Sequence, residues 1–362
     1  MKTLNHYKLL TVFSLFAICA SSAMADSVTF PVLPVVTSTV PANGDVNPYG
    51  VAFIPENFPT PSTLSFGDLL VSNFNNSNNL QGTGTTIVSV TPSGATSTFF
   101  QSSLFPGLTA ALGVLSKGLV IVGNLPTADG TAATVGAGSL LVINANGRLL
   151  ASINTKIDGP WGLAIREIDS SHAQIFVSNV LNGTVVRFDA LVGVNSLTVT
   201  QAVTIGSGFN HRTDPAALVL GPSGLIYEEN EDLLLVVSSL DNAVYGISNA
   251  SKINKDVASG TTGTLLLQDT VHLHGPLDVV QTANGHFLVA NSDGSNVDPN
   301  QPSEIVEYSV TGNTGEFVQQ FSVDPNNGGA FGLTLSGNTG GGRIAYVDDN
   351  QNNVTITGIV AK

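Results

Sequence analysis

Apolar runs of five or six residues, broken by polar and glycine-rich turns, repeat along most of this chain. The stretch "IFVSNVLNGTVVRF", residues 175–188, shows the pattern: an apolar run, a small polar residue, a tight turn and a second apolar run. Runs of this length, rich in Val, Ile, Leu and Phe, suit strands and are too short for helices. Related phrases are "DLLVSNFNNSNN", "GLVIVGNLPTADG", "LLLVVSSLDNAVYGI", "HFLVANSDGSN" and "RIAYVDDNQNNVTI". Each predicts a strand closing on Asn73, Asn124, Asn179, Ser239, Asn291 or Asp349. Asn and Asp suit such a place because their side chains bond nearby backbone and tolerate left-handed turns.

A second phrase precedes each of these: "NPYGVAF", "FPGLTAAL", "GPWGLAI", "DPAALVL", "HGPLDVV" and "GAFGLTL". Five carry a proline, at Pro48, Pro106, Pro160, Pro215 and Pro276, and the intervals are 58, 54, 55 and 61 residues. Proline suits the first residue of a strand, where its missing N–H is no loss. Each unit then reads as four strands. Runs such as "GLVIV" and "LLLVV" are apolar on both faces and need cover on both. Sheets stacked face to face around an axis supply that cover. The expected fold is all-β: a six-bladed β-propeller with four antiparallel strands per blade. The last unit lacks a fourth strand, and "SVTFPVLPVVTSTV", residues 27–40, is strand-like. It is expected to form the outer strand of the last blade and close the ring.

The alternation of a "PxGLA"-like strand with a "VSNxxN"-like strand resembles the NHL-repeat type of six-bladed propeller, over the whole chain after the leader. The resemblance implies the fold. Its members include binding modules, scaffolds and enzymes, so it does not select a function.

Composition adds a compartment. Lys2 and Lys8, an apolar run from Leu9 to Ala20, and "AMA" before Asp26 read as a signal peptide over residues 1–25. One propeller domain then spans 26–362, and the expected location is periplasmic or secreted. Removing the leader takes both methionines and Cys19, the only cysteine. Disulfides and thiolate chemistry are thereby excluded. The leader holds two of the 12 basic residues and none of the 26 acidic ones, so the remainder carries 10 − 26 = −16. Such a surface repels nucleic acid and anionic lipid. No later stretch is long and apolar enough for a transmembrane helix.

The turns after the "VSN" strands and the segments before the proline phrases are expected on one face, around the channel mouth. Three of those turns are long: "FNNSNNLQGTGT", "LPTADGTAATVGAGS" and "SDGSNVDPNQPS". Long loops in a compact repeat are commonly functional, and these are expected to wall a ligand groove. Candidate ligand-binding residues are Asn47, Trp161, Asp214 and His274. Carboxylates, amides and imidazoles from different blades also make candidate ligands for Ca²⁺ or another divalent cation. They are Asp158, Asp214, His274, Asp293 and Asp298. His272 and His274 would share one face of an extended strand. Trp161 is either a stacking platform at the mouth or packing between blades. "YEENED", residues 227–232, is expected on the opposite face as an acidic turn.

Peptidylglycine amidating lyase, a propeller of similar repeat type, uses several channel histidines for zinc; here only His274 and His211 qualify. "DGPW" resembles the "EGPxW" start of a gluconolactonase-like site but falls in the third unit. No serine-hydrolase elbow, P-loop or dinucleotide fingerprint occurs. The expectation is therefore a binding or scaffold module for a protein, glycan or small polar ligand. The alternative is a metal-dependent lyase or hydrolase acting at the channel mouth.

Overall fold

A computed structural model describes residues 27–361, apart from 32, 293–299, 301, 312–313 and 337–341. It is a six-bladed propeller with four antiparallel strands per blade. The innermost strands are Val46–Phe53, Leu108–Leu115, Pro160–Asp169, Pro222–Glu228, Pro276–Gln281 and Ala330–Ser336. Among the described residues the one helical element is a 3₁₀ turn, Ala132–Thr134, and no helix is long and apolar enough to cross a membrane.

The doubly apolar strands are buried as their pattern demands. Every residue of the second strands Leu69–Asn75, Leu119–Asn124 and Phe287–Asn291 is buried. Six apolar clusters each join two neighbouring blades, and together they close the ring. A seventh lies at one end of the channel.

The fourth unit departs from its expected reading. Its inner strand begins at Pro222, whose register partner is Ser238. "DPAALVL" instead forms a separate two-stranded hairpin, Arg212–Asp214 with Leu218–Leu220. The phrase imitates a blade strand because its leucines and valine are also buried, but against the channel mouth. Register moves two expected strand ends by one residue, Ser238 replacing Ser239 and Asp348 replacing Asp349 opposite Ala330, and in blade 1 the strand runs past the expected Asn73 to Asn75.

Near the axis the inner strands almost touch. A β-carbon on Gly162 would overlap the Ser223 carbonyl of the next blade, and one on Gly332 the Tyr49 carbonyl. Hydroxyls tie this layer together from blade to blade. Ser72 donates to the Thr109 carbonyl (2.8 Å) and Ser178 to that of Ser223 (2.6 Å). Where the "VSN" serine is replaced by Gly123 or Val237, an inner-strand hydroxyl takes over. Thr109 donates to the Pro160 carbonyl (2.7 Å) and Ser223 to that of Pro276 (3.2 Å). Between blades 5 and 6 the link is the Leu333 N–H donating to Asp278 (2.9 Å).

The amino-terminal segment closes the ring as expected. Val35–Ser38 and Val28–Thr29 pair antiparallel with the final strand, Asn353–Ala361. Glu307, fully buried on blade 5, clasps this seam. Its carboxylate accepts from the Val28 N–H (3.1 and 3.2 Å), from Gln319 (2.6 Å) and faces His286 Nδ1 at 2.7 Å. Glu307→Ala removes the acceptor of the buried Val28 N–H and the partner of His286 Nδ1. It should cost about 3–5 kcal/mol, the range for breaking a buried polar pair, read as a lower denaturant midpoint. Gly162→Ala should cost roughly 1–3 kcal/mol through overpacking, by the same measurement.

Candidate functional site

The turns after the second strands and the segments before the inner strands do lie on one face, where they bond to each other. Val180 N–H donates to the Gly159 carbonyl and Leu125 N–H to that of Gly107. The channel mouth on this face is roofed. Tyr49, Phe74, Trp161 and Phe331 form an aromatic cluster with ring centroids 4.4–5.5 Å apart. Leu218 and Val219 of the hairpin pack onto it. The long loops of blades 1 and 2 brace one another through Thr127 N–H to the Gly82 carbonyl (3.0 Å). The blade 1 loop also reaches the hairpin, where Gln81 donates to the Ala216 carbonyl (3.0 Å). The expected open groove is thus largely filled, because apolar side chains crowd the mouth. The third long loop falls mostly outside the described residues.

What remains is a pocket of about 270 Å³ between the hairpin tip and blades 1, 5 and 6. Tyr49, Trp161 and Phe331 supply its aromatic surface, and Asn47, Asn75, Asn79, Gln81, Ser292 and Asp349 its polar groups. Among the described residues no Lys, Arg or His lines it. Its polar groups form a chain. With its amide turned toward Asp349, Asn47 donates to that carboxylate at 2.6 and 3.2 Å and accepts from Asn75 at 2.8 Å. Asn47 holds a left-handed backbone, φ 64°, fixed where its N–H donates to Asn352 Oδ1 (2.7 Å). Asn75 is 2 % exposed, and its Oδ1 has no hydrogen-bond partner. Burial, then the neighbouring charge of Asp348, pushes the Asp349 carboxyl well above the usual range. Burial and Asp349 likewise push the Tyr49 hydroxyl up. The pocket therefore offers amides, a hydroxyl and a carboxyl biased toward its neutral form, against aromatic faces.

The sequence-predicted residues divide accordingly. Asn47 and Trp161 meet in this pocket. Asp214 stands at the hairpin tip, accepting from the Ala216 and Ala217 N–H groups (2.9 and 3.0 Å) and pairing with Arg212 (3.1 Å). It shapes the roof. His274 Nε2 lies 3.1 Å from the Val271 carbonyl. His272 Nδ1 lies 2.7 Å from Asp269, and its ring stacks on Phe317. These histidines occupy a turn, not the expected strand, so they do not share a face as a chelating pair. Asp158 flanks the inner strand of blade 3, its N–H donating to Asn179 (3.0 Å). Asp293 and Asp298 lie outside the described residues. Among the described residues no three His, Cys, Asp or Glu side chains gather to hold a metal. Sequence reasoning missed Tyr49, Asn75 and Phe331. The signal was present in "PYG" and "AFG", which carry an aromatic where Trp161 stands in "PWG".

The acidic turn of residues 227–232 opens on the opposite face, as expected, and is more than a solvated loop. Glu229 pairs with Arg166 (2.7 Å), and Asp232 accepts from Tyr227 (3.0 Å) and Ser251 (2.8 Å).

No protein-family profile and no curated protein matches the chain in sequence. Solved structures share its fold. It resembles the virginiamycin B lyase of Staphylococcus aureus (TM-score 0.51, 12% identity, 91% of this chain and 99% of that one). It also resembles a glucose dehydrogenase (0.52, 11%, 91% and 99%). A third likeness is a protein of unknown function from Bacteroides thetaiotaomicron (0.53, 10%, 92% and 76%). At such identities the likeness establishes the propeller fold.

Three inward-facing carboxyls titrate high for the same cause. Burial raises Asp278 to about 7 and Asp348 to about 6, and Asp349 shifts the same way. The folded chain then binds protons that the unfolded chain, with ordinary carboxyls near ~3.9, has released. Stability from these groups is present at low pH and is lost as pH rises from about 4 to about 7. Melting followed by circular dichroism should show a higher Tm at pH 5 than at pH 7.5, and Asp278→Gly should narrow the gap.

Proposed function

We propose that this chain is an exported propeller of the NHL-repeat type that binds a small neutral polar ligand, such as the sugar end of a glycan, in the mouth pocket. The leader-like pattern of residues 1–25 supports export, and the "PxG…VSN" alternation supports the repeat type. The ligand class rests on one observation: a pocket with aromatic faces, amides and a protonation-prone carboxyl, but no basic group. Anions lack a partner there. Hydroxyl-rich molecules find both stacking surfaces and hydrogen-bond groups, the mix common to small-molecule sites. The unpartnered Asn75 Oδ1 calls for a donor, and a buried acceptor gains most from one. About 270 Å³ suits one sugar ring rather than a chain.

The lyase or hydrolase alternative needs a converging metal set, and among the described residues Asp158, Asp214 and His274 supply none; Asp293 and Asp298 lie outside them.

Trp161 is the only tryptophan and lines the pocket, so its emission reports occupancy directly. Neutral mono- and disaccharides should include one that shifts that emission saturably. Asn75→Ala should weaken its binding about 5–10-fold, matching one lost hydrogen bond of roughly 1–1.4 kcal/mol. A folded protein whose emission no neutral sugar moves would overturn the proposal.

A further inference from the structure

Beneath the aromatic cluster lies a second cavity of about 690 Å³, which shares no lining residue with the mouth pocket. It is the propeller channel, open toward the face that carries Glu228 and Glu229. Its wall is formed by the inner strands, each paired on its outer side only, with aliphatic side chains including Leu163, Ile165, Leu225 and Leu335. Along blade 5 the lining runs from Asp278 to Thr282, a depth of ~14 Å at the usual strand rise.

At its inner end the layer of closest approach holds Gly50, Gly162, Gly224 and Gly332 in four blades; in blade 5 that place is taken by Asp278. One oxygen of Asp278 accepts from the Leu333 N–H (2.9 Å) and the other from the Val279 N–H (2.9 Å). An ionised carboxylate has about four acceptor sites, so each oxygen keeps capacity on the cavity side. Among the described residues, every charged residue lining the channel is acidic: Asp278, Glu228 and Glu229. Glu229 is neutralised by Arg166 (2.7 Å). Glu228 accepts from Gln281 at 2.5 and 3.0 Å, with that amide turned toward it, and keeps its charge unpaired. Negative walls of one sign concentrate cations.

We propose that the channel is a second binding site, for a primary alkylammonium whose head group meets Asp278 and whose carbon chain lies along the aliphatic wall. The site is independent of the mouth pocket. A single carboxylate at the inner end does not satisfy a divalent ion that wants six or more oxygens, and no triad of ligating side chains gathers among the described residues. An ammonium has three donors, which the free lone pairs of Asp278 and carbonyls on the unpaired strand edges can share. Burial holds the Asp278 carboxyl up to about 7, the mark of an acid without a countercharge; an ammonium supplies one.

Isothermal titration at pH 8 with n-hexylammonium chloride, n-hexanol and sodium hexanoate tests this. The ammonium should saturate one site, with hexanol at least tenfold weaker and hexanoate silent. Asp278→Asn should cost the ammonium at least tenfold and leave hexanol unchanged. Asp278→Gly, which installs the residue of four other blades, should do the same and serves if the asparagine variant fails to fold. Asp349→Asn, in the mouth pocket, should bind the ammonium as wild type does. Equal binding of hexylammonium and hexanol, undiminished ammonium binding by a folded Asp278 variant, or no saturable ammonium binding would overturn the proposal.

Discussion

Six inner strands must meet near one axis, four of them on glycine at the layer of closest approach, and the rest of the molecule follows from how that meeting is arranged. Glycine allows the backbones to approach, as at Gly162 and Gly332. Hydroxyls then satisfy carbonyls that the approach would leave buried and unpaired. The hydroxyl comes from the second strand in blades 1 and 3 and from the inner strand in blades 2 and 4. In blade 2 the two sources exclude each other sterically. A side chain at Gly123 would crowd Thr109 Oγ1 at 2.6 Å. Blade 5 offers a carboxylate instead, and that substitution turns a structural belt into a charged floor.

The same layer separates two chambers of opposite character. Above it, aromatic rings and the hairpin roof reduce the mouth to a small neutral pocket. Below it, the channel stays open, and its charged lining among the described residues is acidic. The repeats are equivalent in backbone and unequal in side chains. The residues just past the register partners of Pro48, Leu108 and Pro160 are Phe74, Leu125 and Val180, and those past the partners of Pro222, Pro276 and Ala330 in the other three blades are Ser239, Ser292 and Asp349. The roof rests on the apolar half, and the pocket opens on the polar half, at Ser292 and Asp349.

Much of this was legible in the sequence, for a physical reason. Strands covered on both faces announce themselves as unbroken apolar runs, and a missing last strand with a spare first one announces a seam. The fourth blade was misplaced because burial alone cannot distinguish a strand in a sheet from a hairpin pressed onto a channel mouth. Pro215 and Pro222 both precede buried leucines; only Pro222 is followed two residues on by the glycine that four inner strands share. The candidate site was half legible. Asn47 and Trp161 belong to it, whereas Asn75 lies at the end of the blade 1 second strand, beyond the expected Asn73, and Phe331 comes from blade 6, which only ring closure brings beside blade 1. The carboxylates near inner strands pointed to a metal, but in the fold Asp214 turns to its own hairpin.

The seam has a topological corollary. Val28 pairs directly with Ala361, so two residues far apart in the sequence sit on adjacent strands of one sheet. A short peptide joining them would leave the pairing undisturbed, and the backbone could then be cut at any of the narrow turns between blades. The order of blades around the axis is therefore a property of the circle, and the place where translation begins is incidental to it.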